Sequence, residues 1–287
     1  MRTVCLSALL CCVAWPAFGQ QGQLVQRLDA APAGAIWLTQ DSLNLSGGLG
    51  GAFALTSGYA RNPLVVGGAP VITDLATANI GLAVTYSRYR LAFDLASPLY
   101  VRGNGTPSLD IASHPDTITD VRIGADARVW GDVGGPIRLG LSAQLFVPSA
   151  DRTDYMSDGT YRAKFWLKAA GDVSRFSYAA SAGYHVRPLL GNELNYGAAA
   201  GWRFALGDAL TSLVIGPEAF GALGPQAQQM WEALLTGRVD LLSGDGHALR
   251  FKLGAGVGQR DLAGAAQWRV VAAVEVVGLA TAATGSD

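Results

Sequence analysis

Apolar residues alternate with small or polar residues along most of this chain, beginning near residue 43. In the stretch 120–129, valine, isoleucine and alanine occupy every second position, with aspartate, arginine and glycine between them. The stretches 137–147 and 161–168 have the same pattern. Successive side chains of a strand point to opposite faces, so each stretch predicts a β-strand with one apolar and one polar face.

About twelve segments share this alternation. They lie at 43–59, 74–87, 88–99, 117–130, 136–148, 158–172, 175–188, 192–205, 209–222, 229–243, 246–258 and 265–278. Most are about 12 to 16 residues long, whereas strands of soluble proteins average about 5 to 6. A tilted membrane-spanning strand needs about 9 to 11 residues in the hydrocarbon. We therefore predict an all-β fold, a transmembrane antiparallel up-and-down β-barrel of about twelve strands.

The connections between these segments alternate in length. Tight turns are expected at 87–88, 131–135, 172–174, 206–208 and 243–246, and longer loops at 60–73, 100–116 and 149–157. Outer-membrane barrels combine short periplasmic turns with longer external loops. Most aromatic residues lie on the apolar parity, as expected for interfacial girdles. The alternative, a soluble β-sandwich, would have shorter strands and a more charged outer face.

Composition supports a membrane protein of this kind. Hydrophobic residues make up 50% of the chain, charged residues 15%, and the formal net charge is −1. A disordered chain would be richer in charge, and a nucleic-acid-binding protein would carry a basic surface, so no nucleic-acid partner is expected. Beyond the N-terminus, the chain lacks the apolar runs of about 20 residues that membrane-spanning helices need.

The N-terminus has the pattern of a secretory signal peptide. Arg2 precedes an apolar run over 4–15, and residues 17–19 form a small-x-small cleavage site. All three cysteines (Cys5, Cys11 and Cys12) precede that site, so we expect a mature protein without thiols. The alternative is an uncleaved anchor, for which the apolar run is short. We predict a cleaved signal peptide at 1–19, a periplasmic N-terminal segment at 20–41, an outer-membrane barrel at 42–279 and a C-terminal tail at 280–287.

Two features fit the pattern less well. Pro217 lies inside a predicted strand and cannot donate to the ladder, so a bulge or local break is expected there. The first predicted strand is rich in glycine between residues 47 and 58, which specifies its register weakly.

Several short motifs carry a family resemblance. They are AIWLTQDSLNL at 35–45, DLASPLY at 94–100, DVRIGA at 120–125, QLFVPSAD at 144–151 and GPE at 216–218. In this order they resemble the β-barrel modules of OmpA-like outer-membrane proteins from myxobacteria and related Gram-negative bacteria. In that family a calcium-binding or peptidoglycan-binding region often follows the barrel. This chain stops at Asp287 without one, so peptidoglycan binding is not expected from it.

The polar face of the predicted strands supplies the candidate functional residues, which would line the lumen. Strands five to eight place a row of cations there, opposed by Glu193: Arg138, Arg162, Lys164, Lys168, Arg175, Arg187 and Arg203. The inward parity elsewhere carries Arg122, Glu218, Glu232 and Arg238. A basic wall in a narrow lumen attracts anions, so we interpret these residues as candidates for ion selectivity.

Catalytic chemistry is not indicated. His114, His185 and His247 fall on different predicted elements, whereas metal sites and hydrolytic triads need converging ligands. We expect no enzyme activity, cofactor or metal centre. Acidic residues in the external loops are suited to calcium or to divalent bridges with lipopolysaccharide, but simple solvation is the more economical explanation.

Two functions remain open for an outer-membrane barrel of this size. The first is a narrow pore or small-solute channel with a polar, partly basic lumen. The second is a non-conducting structural or interaction barrel with a salt-bridged lumen and surface-exposed loops. Twelve strands lie between the side-chain-filled barrels of eight and the water-filled porins of sixteen or more, so strand number does not decide. The expected partners are the lipid bilayer, lipopolysaccharide and, for a pore, small solutes.

Overall fold

The computed structural model describes residues 24–45, 48–66, 68–104, 118–150, 155–206, 211–225, 228–242, 247–259 and 264–278. The proposed signal peptide and C-terminal tail lie outside these ranges. The strands are β1 (Leu49–Val66), β2 (Ala69–Tyr86), β3 (Tyr89–Gly103), β4 (Val121–Trp130), β5 (Arg138–Val147), β6 (Arg162–Val173), β7 (Phe176–Val186), β8 (Glu193–Ala205), β9 (Thr211–Leu223), β10 (Gln229–Leu242), β11 (His247–Gly258) and β12 (Trp268–Gly278).

These strands form one closed antiparallel barrel. Each pairs with its neighbours in sequence, and β1 pairs with β12 to close the sheet. The predicted fold class is therefore confirmed. Within the described ranges, no helix is long and apolar enough to cross a membrane.

The first two strands differ most from the sequence prediction. β1 begins at Leu49 rather than at residue 43, and β1 and β2 continue through the predicted loop 60–73. The ladder between them shifts register on either side of Leu64, which interrupts the alternation there. Leu43 has a φ of 54° and is buried. Residues 43–45 therefore precede the barrel wall, although their alternation resembles that of a strand.

The connections define two ends of the barrel. The turn end carries the connections after β2, β4, β6, β8 and β10, and the loop end carries the others. The longest connections, 104–120 and 148–161, lie at the loop end. Ser87 and Ser174 adopt a φ of 56° in the two tightest connections of the turn end. The predicted difference between the ends is present, except that the β1–β2 connection at the loop end is short.

The two faces of the wall differ in chemistry. In β5, buried positions alternate with exposed ones along the strand. Leu139, Phe165 and Phe251 are exposed on the outer face, as the parity predicts, whereas Arg122 and Lys164 are buried inside. An outer belt of aliphatic and aromatic side chains is the surface that a membrane barrel presents to lipid.

Pro217 is accommodated without a change of register. β9 pairs continuously with β10 through Leu235 and Pro217. On the β8 side, the pairs opposite Pro217 and Gly216 are missing from the ladder, yet the register is the same before and after them. The predicted irregularity is therefore a local break on one side of the strand, because proline has no amide hydrogen to donate.

The chain ahead of β1 lies inside the barrel. Residues 24–45 run through the lumen, and Val25, Leu38 and Leu43 are buried there. The sequence predicted a periplasmic N-terminal segment at 20–41. The described part of that segment occupies the lumen instead, because twelve strands enclose more space than their own side chains fill. We call residues 24–45 the plug.

The outer face makes a testable prediction about position. Leu253 lies near the middle of β11 and is 60% exposed, whereas Leu139 lies one residue from the start of β5. Arginine on the lipid face costs about 2–4 kcal/mol at the membrane midplane and about 0–1 near the interfaces. Leu253→Arg should therefore lower the free energy of unfolding more than Leu139→Arg. Urea titration of protein refolded into vesicles measures both, and equal costs would contradict this placement of the membrane.

Candidate functional site

The plug is anchored first at the loop end. The Leu24 amide donates to Asp158 Oδ1 at 2.9 Å, and the Val25 amide donates to the Tyr155 carbonyl at 3.0 Å. Both acceptors belong to the β5–β6 connection. Burial alone would raise the pKa of the Asp158 carboxyl, but the Arg187 guanidinium and the Leu24 amide hold that pKa below its ordinary value. The anchor is therefore an ionised carboxylate.

The other end of the plug is held at the turn end. Arg138 Nε donates to the Ser42 carbonyl at 2.9 Å, and Arg128 Nη2 donates to the Leu45 carbonyl at 3.0 Å. Arg138 is the first residue of β5, and Arg128 is close to the end of β4. The plug therefore spans the barrel from the loop end to the turn end, where β1 begins.

Glu218 holds the middle of the plug. Its carboxylate accepts from the amides of Leu38 at 2.9 Å and Thr39 at 2.8 Å, and from the Thr39 hydroxyl at 2.8 Å. Glu218 is 1% exposed. A buried amide left without an acceptor costs about 1–3 kcal/mol, so this one wall carboxylate stabilises two adjacent amides of the plug.

Cations of β11 bind carbonyl groups of the plug. Lys252 Nζ donates to the carbonyls of Ala35 at 2.7 Å and Trp37 at 3.1 Å, and Arg250 Nη1 donates to that of Ala35 at 2.8 Å. Glu275 contacts both cations, and Asp240 also pairs with Arg250. Further donors of this kind are Arg122 to Ala30 and Arg238 to Ile36. Side chains of the wall thus contact largely the backbone groups of the plug.

The carboxylates of the plug bind lysines that the sequence assigned to a basic wall. Lys168 Nζ lies 3.2 Å from Asp41, which also contacts Arg90. Lys164 contacts Asp29. The plug therefore compensates part of the excess positive charge on β6.

Glycines in the wall make room for the larger side chains of the plug. A Cβ on Gly201 would lie 2.6 Å from Trp37 Cη2, and one on Gly254 would lie 2.6 Å from Leu38 Cδ1. Trp37 and Leu38 are 3% and 4% exposed. These recesses make the wall of the lumen complementary in shape to the plug side chains.

The remaining predicted lumen residues are buried or half-buried and paired. Their ion pairs are Arg138–Asp172, Arg203–Asp172, Arg162–Asp120, Arg187–Asp158, Arg187–Glu193, Arg122–Asp94, Arg238–Asp240 and Arg269–Glu232. The placement of Arg175 in the lumen is wrong. Arg175 is exposed in the β6–β7 turn, because β6 continues to Val173 and the turn occupies the next two positions.

Two small cavities lie beside the plug among the described residues. Their volumes are about 70 Å³ and 80 Å³, and Asp29, Ala30 and Arg122 line both. A water molecule needs about 10–15 Å³ on this measure, so each cavity accommodates a few waters. In this conformation, neither cavity has room for a solute of appreciable size.

An apolar cluster covers the loop end of the lumen. It joins the extended parts of β1–β3, the β5–β6 connection and the start of the plug: Val25, Ala60, Leu64, Val71, Ile72, Leu75, Val101, Tyr155, Met156 and Ala266. The extensions of β1 and β2 beyond their predicted ends supply four of its ten residues, so their burial here stabilises the longer strands. We call it the cap.

The histidines do not form a common site in the described structure. His114 lies outside the described residues. His185 is buried near the loop end, with Nδ1 3.4 Å from Glu193 Oε2. His247 begins β11 at the turn end. Ser177 and Ser181 share the inward face of β7 with His185, and their hydroxyls donate to Asp172 and Gln40.

Known structures resemble the chain in fold. It is similar to the COG4313 outer membrane channel from Pseudomonas putida F1, with a TM-score of 0.55 and 14% identity over 81% of this chain and 96% of that one. It is also similar to the NanC porin, with a TM-score of 0.47 and 6% identity over 80% of this chain and 100% of that one. The fold is that of an outer-membrane β-barrel. No family model matches the sequence, and no curated protein matches it, so the myxobacterial resemblance has no support beyond the barrel fold.

Sequence reasoning missed the plug and its wall contacts. Trp37 and Leu38 lie in an apolar stretch that the prediction left outside the barrel. Two signals pointed to a second element in the lumen: the glycines on the inward parity, and the cations on β5–β8 that outnumber the carboxylates of those strands. Neither signal identifies the residues that fill the space.

The contacts of Glu218 predict its effect on the plug. Glu218→Ala removes the acceptor of the Leu38 and Thr39 amides, which should raise the free energy of the closed plug by about 1–3 kcal/mol. Hydrogen exchange of these amides should accelerate by about 5- to 150-fold. Glu232→Ala is the control, because Glu232 accepts from Ala266 and Arg269 instead. Unchanged exchange at residues 38–39 in Glu218→Ala would contradict the assigned contact.

Proposed function

We propose that this protein is a channel of the Gram-negative outer membrane whose lumen is closed by its own N-terminal plug. The observation that carries the proposal is the path of residues 24–45. They are hydrogen-bonded to the wall at the loop end, in the middle and at the turn end. The loop end faces the outside and the turn end faces the periplasm, as in other barrels of this class. The chain reaches this membrane through a cleaved signal peptide at 1–19.

The chemistry of the interface favours a channel over a permanently filled barrel. The plug meets the wall through ionised side chains, backbone groups and glycine recesses, and its apolar contacts are divided among separate small clusters rather than gathered in one continuous core. Water can solvate such a wall after the plug leaves. The fold likeness to an outer membrane channel supports this proposal only as an analogy, because one fold serves many functions.

The proposed solutes are small anions. Departure of the plug removes Asp29 and Asp41 from Lys164, Lys168 and Arg90, and removes Arg27 from Glu193. The lumen then carries about one more net positive charge, and a positive field concentrates anions in a narrow lumen. The candidate selectivity residues predicted from the sequence keep this role in the proposal, except Arg175.

A non-conducting structural barrel is the second candidate. The density of ion pairs in the lumen favours it, because paired charges and a fixed plug leave no passage. In either case we propose contacts with lipid and lipopolysaccharide, no catalytic activity, and a relation to the OmpA-like barrel modules that the sequence motifs resemble.

Planar-bilayer recording distinguishes these candidates. Truncating a large buried side chain costs about 2–5 kcal/mol, so Trp37→Ala with Leu38→Ala should loosen the plug without changing the wall. We expect native protein to open rarely and the double variant to conduct with anion preference. Adding Lys164→Glu should weaken that preference.

The matched control for this experiment is Leu235→Ala with Leu253→Ala, which removes two exposed side chains from the outer face. It should conduct like native protein. A correctly folded Trp37→Ala, Leu38→Ala variant that never conducts would reject the channel and leave the structural barrel.

The two ends of the barrel also predict its orientation in the membrane. Ser149 is exposed in the β5–β6 connection at the loop end, which we place on the cell surface. The mature chain lacks cysteine by the signal-peptide prediction, so Ser149→Cys introduces a single thiol. A membrane-impermeant maleimide should label Ser149→Cys in intact cells, and Ser87→Cys at the turn end only after lysis. The reverse pattern would overturn the orientation.

A further inference from the structure

We propose that the wall of the lumen is a binding site for a peptide that adopts the looped path of the plug, and that a peptide with the plug's pattern, supplied in trans, can replace the plug. The plug is then an intramolecular ligand. This inference rests on the proposed function, because replacing the plug affects the passage of solutes only if the barrel is a channel. Binding of the peptide can be measured without conductance.

The first support is the way the wall contacts the backbone. Carboxylates accept plug amides, as Glu218 does for Leu38 and Thr39. Cations donate to plug carbonyls, as Lys252 does for Ala35 and Trp37. Such contacts require a main chain that follows the path of the plug, which turns at 33–34 and returns so that the Ala31 amide donates to the Leu38 carbonyl. A peptide from another molecule that adopts this path presents the same groups.

The second support is selection among side chains. The recess at Gly254 holds Leu38, and the recess at Gly201 holds the ring of Trp37. Other recesses hold Gln40 at Gly197 and Leu43 at Gly140. Backbone contacts alone would accept any peptide that can adopt the path of the plug. The recesses should favour a partner with an aromatic residue followed by leucine, and with an acidic residue four positions after the aromatic one to meet Arg90 and Lys168, as Asp41 does.

The third support is covalent geometry. The plug continues into the wall only through the turn end, where the chain passes from Leu45 towards β1. At the loop end it is held by noncovalent contacts such as those of Leu24 and Arg27. A tethered ligand competes at an effective concentration on the order of millimolar. A free peptide should therefore bind weakly to native protein and tightly once the plug is weakened.

The test uses the full chain with Trp37→Ala and Leu38→Ala, whose wall is unaltered, and a dye-labelled synthetic peptide of residues 24–45. We expect saturable binding by fluorescence anisotropy in detergent, at least tenfold tighter than to native protein. Adding Glu218→Ala to the chain should weaken binding at least tenfold, equivalent to about 1.4 kcal/mol. A peptide carrying Trp37→Ala should lose a similar factor.

The controls separate specific binding from adsorption. Gly237→Ala in the weakened chain should leave the affinity unchanged, because a Cβ there meets no other atom within 4 Å. Circular dichroism confirms that each barrel is intact. Absence of saturable binding to an intact weakened barrel, equal binding to native protein, or equal affinity for a scrambled peptide would overturn the inference. Binding without conductance would reject the channel and retain the peptide site.

Discussion

The space inside a closed barrel of twelve strands is the constraint on which the rest of this structure depends. Such a barrel is too wide for its inward side chains to fill and too narrow to be an open porin of large bore. Its wall carries buried arginine, lysine, aspartate and glutamate side chains. Buried charges are costly unless they are paired and hydrogen-bonded. The plug meets both requirements, because it occupies the space and supplies carboxylates, amides and carbonyls where the wall needs them.

The plug is held by many polar contacts and a few specific recesses. Removing one partner of a buried ion pair is strongly destabilising, whereas the intact pair adds little net stability. The polar contacts can therefore specify the position of the plug closely while adding little net stability. Apolar side chains of the plug, Trp37 and Leu38 among them, pack against the wall in separate clusters, and glycines let these two approach it closely. This division of the interface is compatible with the displaceable plug that we propose.

The loop end is closed by a different chemistry. The cap places Leu64 and Ile72 from the extensions of β1 and β2 against Met156 and Val25. The cap thus connects the barrel wall, a long loop and the start of the plug. A movement of the β5–β6 connection would disturb the cap and also the carboxylate of Asp158 that anchors Leu24. The cap and the plug are therefore in contact at the proposed outer surface, where a movement of this connection would affect both.

Local pattern determined most of the wall, because alternation with period two depends only on the residues of one strand. It predicted β5, with its alternating faces, and the inward position of Arg122, Arg187 and Glu218. It failed where two elements meet: Leu43 alternates like a strand residue yet lies in the lumen, and Arg175 has inward parity yet lies in a turn. The pairing of Leu38 with Glu218 joins residues distant in sequence, with no periodic signal between them. Only closure of the barrel, which brings all twelve strands around one axis, decided what fills the lumen.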